Sequence, residues 1–178
     1  MNEPLTSGWE MRPPGAAQWS PTTLPGAWED AGIDKSLAGP VAYRRTLDLA
    51  DPRPGERLWL ACEAVSYDAR VALNGVDLGG HRGAWDPFAV ELTRAARAGQ
   101  NLLELSVEKP AGLTSGPDSA ALPGRFPLRG TLSGFLPYVW GHMFGGPWQA
   151  LALRRTGPVA LLAAGARAEA DGRLDAWA

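Results

Sequence analysis

The stretch Tyr67-Asp68-Ala69-Arg70-Val71-Ala72-Leu73-Asn74-Gly75-Val76-Asp77-Leu78 (residues 67–78) indicates the fold class of this chain. Apolar residues recur at every second position up to Leu73, and the alternation resumes at Val76. A period of two places successive side chains on opposite faces of a β-strand. Asn74-Gly75 stands between the two runs, and a type I′ turn requires positive φ at both of its central residues. We therefore expect an antiparallel hairpin at this point.

The same alternation continues on both sides of the hairpin. It appears at 41–49 and 58–64 before it, and at 88–92 and 103–107 after it. Gly99-Gln100-Asn101 predicts a break ahead of the last of these runs. Short strands at this spacing, with no long helix between them, favour an all-β antiparallel sandwich or jelly roll.

Composition and charge exclude several classes of partner. The 178 residues carry 17 Lys and Arg against 19 Asp and Glu, so the net charge of -2 gives no reason to expect nucleic acid. No apolar run approaches the ~18 residues of a membrane-spanning helix, so no membrane partner is expected. The first residues lack the basic and apolar regions of a secretory signal, which predicts a cytoplasmic protein.

Candidate metal ligands and redox groups are few. Cys62 is the single cysteine, and its apolar surroundings indicate a buried structural thiol. The two histidines, His81 and His142, are 61 positions apart and do not have the spacing of a zinc site. We expect no metal and no cofactor.

The segment from Pro110 to Pro147 differs from the rest of the chain. Its 38 residues include eight Gly and six Pro, and few of them alternate. Five aromatic residues give it more apolar surface than a flexible linker carries. These are Phe126, Phe135, Tyr138, Trp140 and Phe144. The segment is interpreted as an ordered loop that either folds against the sandwich or is held for a partner.

A set of motifs resembles the N-terminal sugar-binding domain of glycoside hydrolase family 2, the family of β-galactosidases, β-glucuronidases and β-mannosidases. The resemblance rests on their order and spacing over about a hundred residues. The motifs are Leu24-Pro25-Gly26-Ala27-Trp28, Tyr43-Arg44-Arg45, Glu63-Ala64-Val65, Leu73-Asn74-Gly75, Trp85-Asp86-Pro87-Phe88, Gly99-Gln100-Asn101-Leu102-Leu103 and Gly145-Gly146-Pro147-Trp148-Gln149.

The resemblance implies a galactose-binding-like jelly roll over residues 1–156 and the first strands of a truncated immunoglobulin-like sandwich over 157–178. It also implies that the two catalytic glutamates lie on a later (β/α)₈ barrel, which needs roughly 250 residues and cannot be contained here. Asn2-Glu3-Pro4 resembles the acid/base motif, but at a frayed terminus Glu3 is expected to be solvated and not catalytic. The chain alone is therefore expected not to be an enzyme, although the parent protein would be a retaining β-glycosidase.

The resemblance also bears on the substrate. Galactose-specific members place an asparagine beside the tryptophan of the early motif and an aspartate before the glycine-rich motif. Ala27 stands at the first position and the second aligns near Trp140, so neither polar contact with galactose is retained.

The candidate carbohydrate-binding residues are aromatic or can pair with hydroxyl groups. They are Tyr138, Trp140, His142, Trp148 and Trp28. Two interpretations of the cluster at 138–148 remain open: it covers one end of the sandwich, or it projects toward a barrel and walls its substrate pocket. Trp28 has an alternative interpretation as a residue that packs in the core or between domains. The same interpretation applies to Trp9, Trp19, Trp59 and Trp85.

Three functions follow from these alternatives. The first is a non-catalytic domain that buttresses the following immunoglobulin-like and barrel domains and lends loop residues to the substrate pocket. The second is an autonomous carbohydrate-binding module. The third is a protein-interaction sandwich with no role in sugar binding.

Overall fold

The computed structural model describes residues 2–34, 37–51, 53–109, 144–160 and 164–177. In these residues it contains strands, one 3-10 helix at Trp28–Ala31 and no α-helix, so the all-β prediction is confirmed. The twelve strands are β1 (Asn2–Pro4), β2 (Trp9–Arg12), β3 (Ser20–Thr22), β4 (Val41–Leu49), β5 (Arg57–Cys62), β6 (Asp68–Leu73), β7 (Val76–Arg82), β8 (Phe88–Glu91), β9 (Gly99–Glu108), β10 (Leu151–Thr156), β11 (Gly165–Ala168) and β12 (Leu174–Trp177).

Ten of these strands form two antiparallel sheets. The larger sheet has the order β3-β2-β4-β9-β6-β7, and the smaller one has the order β1-β10-β5-β8. The longest pairing joins β4 to β9, with Val41 opposite Val107 and Leu49 opposite Gly99. Because β4 and β9 are central and long, they set the register of the larger sheet.

One hydrophobic core lies between the two sheets. The larger sheet contributes Tyr43 and Leu105, and the smaller sheet contributes Leu60 and Leu153. Their outward neighbours are mostly more exposed, as the alternation in the sequence predicts. Trp59 and Ala61 are the exceptions on β5, since both are buried on the opposite face of the strand. The two sheets therefore form a sandwich with a shared core.

The Asn74-Gly75 hairpin is confirmed. Asn74 has φ 53° and Gly75 has φ 78°, as a type I′ turn requires. The Asn74 side chain also joins the hairpin to the neighbouring strand. Its Nδ2 donates to the Ala95 carbonyl at 2.9 Å and to Asn101 Oδ1 at 2.8 Å, while its Oδ1 accepts from the Leu102 N–H at 2.9 Å.

Two local predictions were wrong. Gly99-Gln100-Asn101 opens β9 instead of breaking the sheet, because these residues pair with the end of β4. Asn2-Glu3-Pro4 is not frayed, since it pairs with β10 as β1. Glu3 is nevertheless exposed, as expected.

The hairpin predicted around Asp171-Gly172 is present as β11 and β12, a separate two-stranded sheet. Gly172 has φ 89°, which suits its place in the turn. The assignment of 157–178 to an immunoglobulin-like domain stays a prediction. In the part of the chain that the structure describes, no helix is long and apolar enough to cross a membrane.

Candidate functional site

Two residues that flank 110–143, one on each side, contact the same carboxylate. Lys109, the last described residue before that segment, forms an ion pair with Glu29 through Nζ and Oε1. Gly145, just after it, donates its backbone N–H to Glu29 Oε2 at 3.1 Å. Lys109 is only 1% exposed, so this pair is buried in the sandwich. Glu29 therefore fastens the base of the segment at both sides.

Trp28 packs directly against the returning chain. Its backbone N–H donates to the Gly145 carbonyl at 2.9 Å, and the backbone N–H of Gly26 donates to the Pro147 carbonyl at 2.9 Å. A Cβ at Gly145 would lie 2.2 Å from Trp28 Cζ2, a distance at which only glycine fits. The Lys109 ammonium lies 5.1 Å from the centroid of the Trp28 ring, within the range of a cation–π contact.

The connection between β5 and β6 also holds this short segment. Ser66 exchanges two backbone hydrogen bonds with Gly146, of 2.8 and 3.0 Å. The Ser66 hydroxyl also donates to the Phe144 carbonyl at 2.8 Å. Residues 144–147 are thus fixed by contacts with two separate parts of the fold.

Burial shifts the pKa values of groups around Glu29. Burial lowers the pKa of the Lys109 ammonium, and the hydrogen bond and charge of Glu29 oppose that shift. The pKa of the Tyr43 hydroxyl is raised, first by burial and then by the nearby Glu29 charge. Neither Tyr43 Oη nor Trp28 Nε1 has a hydrogen-bond partner among the described residues. The neighbourhood of Glu29 is a buried polar centre inside the apolar sandwich.

An aromatic cluster lies on the same returning segment. Trp85, Phe144 and Trp148 contact one another edge to face, with ring centroids 4.6 to 5.9 Å apart. Trp148 Nε1 donates to the Ala84 carbonyl at 2.7 Å, which fixes its ring. Trp85 is 49% exposed, so the cluster offers one aromatic surface to solvent. Such a surface can stack on the C–H face of a sugar or pack against another protein.

Of the five predicted carbohydrate-binding residues, two can be placed. Trp28 is buried and lies against Gly145, while Trp148 is half-buried in the aromatic cluster three residues further on. The structure thus brings these two residues to one short segment. Tyr138, Trp140 and His142 lie outside the described residues. A role in sugar binding stays a prediction for all five.

His81 and Arg82 both belong to β7, where Arg82 Nη2 pairs with Asp68 Oδ2 at 2.8 Å. The His81 ring stacks on Phe88 with centroids 4.6 Å apart.

Sequence reasoning missed Glu29 and Lys109. Lys109 did leave a signal, because it continues the inward phase of Leu103, Leu105 and Val107. A lysine at an inward position indicates a buried partner. Glu29 left no comparable signal, since it lies 80 positions away in sequence.

No group of three or more His, Cys, Asp or Glu side chains suited to a metal ion occurs among the described residues. The buried thiol of Cys62 has its pKa raised to about 12, first by burial and then by the Glu63 charge. It is therefore protonated at neutral pH and is not a ready nucleophile.

Comparison with known proteins finds similarity to β-glucuronidases. No family model matches the chain. Over 83 residues, 45% of this chain, it is 30% identical to a β-glucuronidase of Paenibacillus borealis, and the match covers 14% of that protein. The chain therefore spans a small part of this relative.

Solved structures agree on the fold. The β-glucuronidase of Bifidobacterium dentium, solved with coumarin-3-O-glucuronide, matches with a TM-score of 0.65 and 23% identity over 95% of this chain and 32% of its own. A glycosyl hydrolase family 2 member from Bacteroides cellulosilyticus matches with a TM-score of 0.63 and 15% identity over 88% of this chain and 21% of its own. In fold, this chain is similar to part of the family 2 glycoside hydrolases, which is the resemblance that its sequence motifs carry.

Proposed function

We propose that this chain is the non-catalytic N-terminal domain of a family 2 glycoside hydrolase. It buttresses the catalytic barrel and lends residues of 138–148 to the substrate pocket. Residues 1–156 form the sugar-binding-type domain in this proposal, and 157–178 begin an immunoglobulin-like domain. The parent enzyme is a retaining β-glycosidase, and β-glucuronides are the first substrates to examine because the relatives are named for them.

The observation that carries the proposal is the double attachment of Glu29 to Lys109 and Gly145. A loop that completes another domain's pocket must leave its own domain from a rigid base, because small displacements of binding groups weaken catalysis strongly. Glu29, Trp28 and Ser66 together supply such a base.

The small share of each relative that the chain covers also supports a non-catalytic role. Glycoside hydrolysis by this family's mechanism requires two carboxyl groups about 5 Å apart on opposite sides of the scissile bond. Glu29, the buried carboxylate of the site, is already neutralised by Lys109 and bonded to Gly145. It is a structural group in this arrangement.

The proposal is tested by titrating the pure chain with monosaccharides and β-linked oligosaccharides in a calorimeter. A loop that only completes a pocket should bind free sugar no tighter than about 1 mM, equivalent to about -4 kcal/mol. In parallel, chromogenic β-glucuronide, β-galactoside and β-mannoside should show no turnover above buffer. Micromolar binding that is lost in Trp140→Ala but kept in Trp177→Ala would overturn the proposal. Trp177 is a suitable control because it is an exposed tryptophan on β12.

The aromatic cluster favours a second candidate, an autonomous carbohydrate-binding module. Trp85 presents half of its surface to solvent and is braced by Phe144 and Trp148, which is the arrangement of a stacking platform. For this candidate, Trp85→Ala should abolish the binding of a free oligosaccharide. In the buttress proposal the same substitution leaves the already weak binding unchanged.

A further inference from the structure

The outer face of the larger sheet contains a depression of about 230 Å³. Its floor consists of the small side chains of Ala42, Ala72 and Ser106 on three neighbouring strands. Ala42 pairs with Ser106, and Ser106 pairs with Arg70, so the floor crosses the sheet from β4 to β6. We refer to it as the outer-face depression. It lies on the opposite side of the sheet from the core that contains Tyr43 and Leu105.

One wall of the outer-face depression is a tryptophan that is held in place before any ligand binds. The guanidinium carbons of Arg12 and Arg44 lie 4.6 and 4.3 Å from the centroid of the Trp19 ring. Arg44 Nε also donates to Glu10 Oε2 at 2.7 Å. Because these contacts immobilise the ring, little conformational entropy remains to be lost on binding.

Glu104 stands at the edge of the floor as an unpaired carboxylate. Its register partner on β4 is Arg44, the residue best placed to neutralise it. Arg44 instead turns to Glu10 on the other neighbouring strand and to Trp19. On the opposite side Glu104 faces Ala72, which offers no charge. No described residue forms an ion pair or hydrogen bond with the half-buried Glu104 side chain.

The far rim carries both a donor and an acceptor. The Arg70 side chain is 65% exposed, and its Nε is 3.9 Å from Asp68 Oδ1, so its guanidinium keeps donors available. Asp77 accepts the Gly79 N–H through Oδ1 at 2.8 Å. Its other oxygen, Oδ2, remains an acceptor on the same rim. The depression thus combines an apolar floor with two carboxylates and a guanidinium.

We propose that the outer-face depression binds one neutral sugar residue. The alanine floor and the Trp19 edge can contact the C–H surface of a pyranose ring, while Glu104 and Asp77 accept hydrogen bonds from its hydroxyl groups and Arg70 donates one. Among the residues that line the depression, two carboxylates against one guanidinium disfavour an anionic sugar. This site is independent of the proposed function, because none of its lining residues belongs to 138–148 and it needs no barrel.

Nuclear magnetic resonance titration of the ¹⁵N-labelled chain tests the site. Methyl glycosides of glucose, galactose and mannose and their β-linked tetrasaccharides are compared with glucuronic acid. The expected result is a shift of backbone amides within 42–44, 70–72 and 104–106, larger for at least one neutral sugar than for glucuronic acid. Glu104→Gln should weaken that binding by about tenfold, the effect of one charge-assisted hydrogen bond. Asp48→Asn is the matched control, since it also turns a carboxylate into an amide on the same face of the sheet, at the far end of β4.

Three outcomes would overturn the proposal. The first is the absence of shifts at these amides with every neutral sugar up to about 20 mM, beyond which binding carries little specificity. The second is a stronger response to oligolysine than to any sugar, which would make the depression a site for basic peptides. The third is an equal loss of sugar affinity in the Glu104→Gln and Asp48→Asn variants. If Glu104→Gln does not fold, Arg70→Gln at the exposed rim takes its place with the same expected loss. Shifts confined to 144–150 are a case of the first outcome and would place the binding at the aromatic cluster.

Discussion

Lys109 and Glu29 form a buried ion pair, and Glu29 also accepts a hydrogen bond from the Gly145 backbone on the other side of residues 110–143. The pair is surrounded by the Trp28 ring and the Gly145 backbone. A buried pair contributes little net stability by itself, but the loss of one partner leaves the other charge buried without compensation. The first prediction follows from this asymmetry.

Glu29→Gln should lower the free energy of unfolding by about 3–5 kcal/mol. The deficit should shrink as the pH rises toward 10.5, the ordinary value for lysine. In the variant, burial still lowers the pKa of Lys109 while only the charge of Asp34 opposes the shift, so the folded state loses its proton before the unfolded state does. Stability therefore increases with pH over that interval. Urea unfolding between pH 6 and pH 10 measures the effect.

The control for this experiment is a pair on the surface. Arg57 and Glu91 are separated by 3.8 Å, with side chains 46% and 38% exposed. Glu91→Gln should therefore cost at most about 1 kcal/mol. Equal effects of Glu29→Gln and Glu91→Gln would mean that Glu29 does not hold the base of the segment.

Gly145→Ala should destabilise the protein by about 1–3 kcal/mol. The added Cβ would meet the Trp28 ring at 2.2 Å, and a packed core responds to such overlap with strain. Gly157→Ala is the matched control, because nothing lies within 4 Å of a Cβ at that position and its φ is not positive. Denaturant midpoints compare the two variants. A neutral Gly145→Ala would show that Trp28 can move away from the returning segment.

Gly75→Val should destabilise the protein by about 1–3 kcal/mol for a different reason. No atom lies within 4 Å of a Cβ at Gly75, so the cost arises from its φ of 78° and not from crowding. Gly75→Asn should cost less, since asparagine tolerates the left-handed region. Thermal unfolding of both variants separates the two causes. Equal losses of stability in Gly75→Val and Gly75→Asn would indicate that Gly75 is required for a contact and not for its conformation.

Cys62 should make the folded chain less stable at alkaline pH. Its pKa is raised from 9.0 to about 12, so between these values the unfolded chain loses a proton that the folded chain keeps. Stability is unaffected below pH 9 and falls as pH rises, by at most about 1.4 kcal/mol per pH unit. Cys62→Ala should show a shallower decline in urea midpoint from pH 9 to pH 11. Parallel declines of the urea midpoint in the original protein and in Cys62→Ala would contradict the raised pKa of Cys62.

Local signals account for the parts of the fold that the sequence predicts. Asn74-Gly75 demands positive φ whatever surrounds it, and the alternation along β4, β5, β6 and β9 requires one buried face. The motifs around Trp28 and Gly145 point to the same architecture. These features do not depend on which distant residues meet.

The remaining features depend on distant partners. β1 and β3 have three residues each, too few for a period to be evident, and β1 exists because it pairs with β10. Arg82 forms an ion pair with Asp68, and the two residues are neighbours because the β6–β7 register places them opposite each other. Glu29 and Lys109 meet over 80 positions in sequence, and Glu104 has no partner among the described residues because Arg44 pairs with Glu10. Side-chain choices of this kind are made by tertiary packing and leave no pattern in the sequence.

The reading frame that follows codon 178 tests the central claim most directly. If this chain is the N-terminal domain of a family 2 glycoside hydrolase, DNA sequencing should find several hundred further codons. They should complete a β-sandwich and then encode a barrel of roughly 250 residues with a glutamate at each of two strand ends. A stop codon directly after Ala178, in the natural gene, would contradict the account.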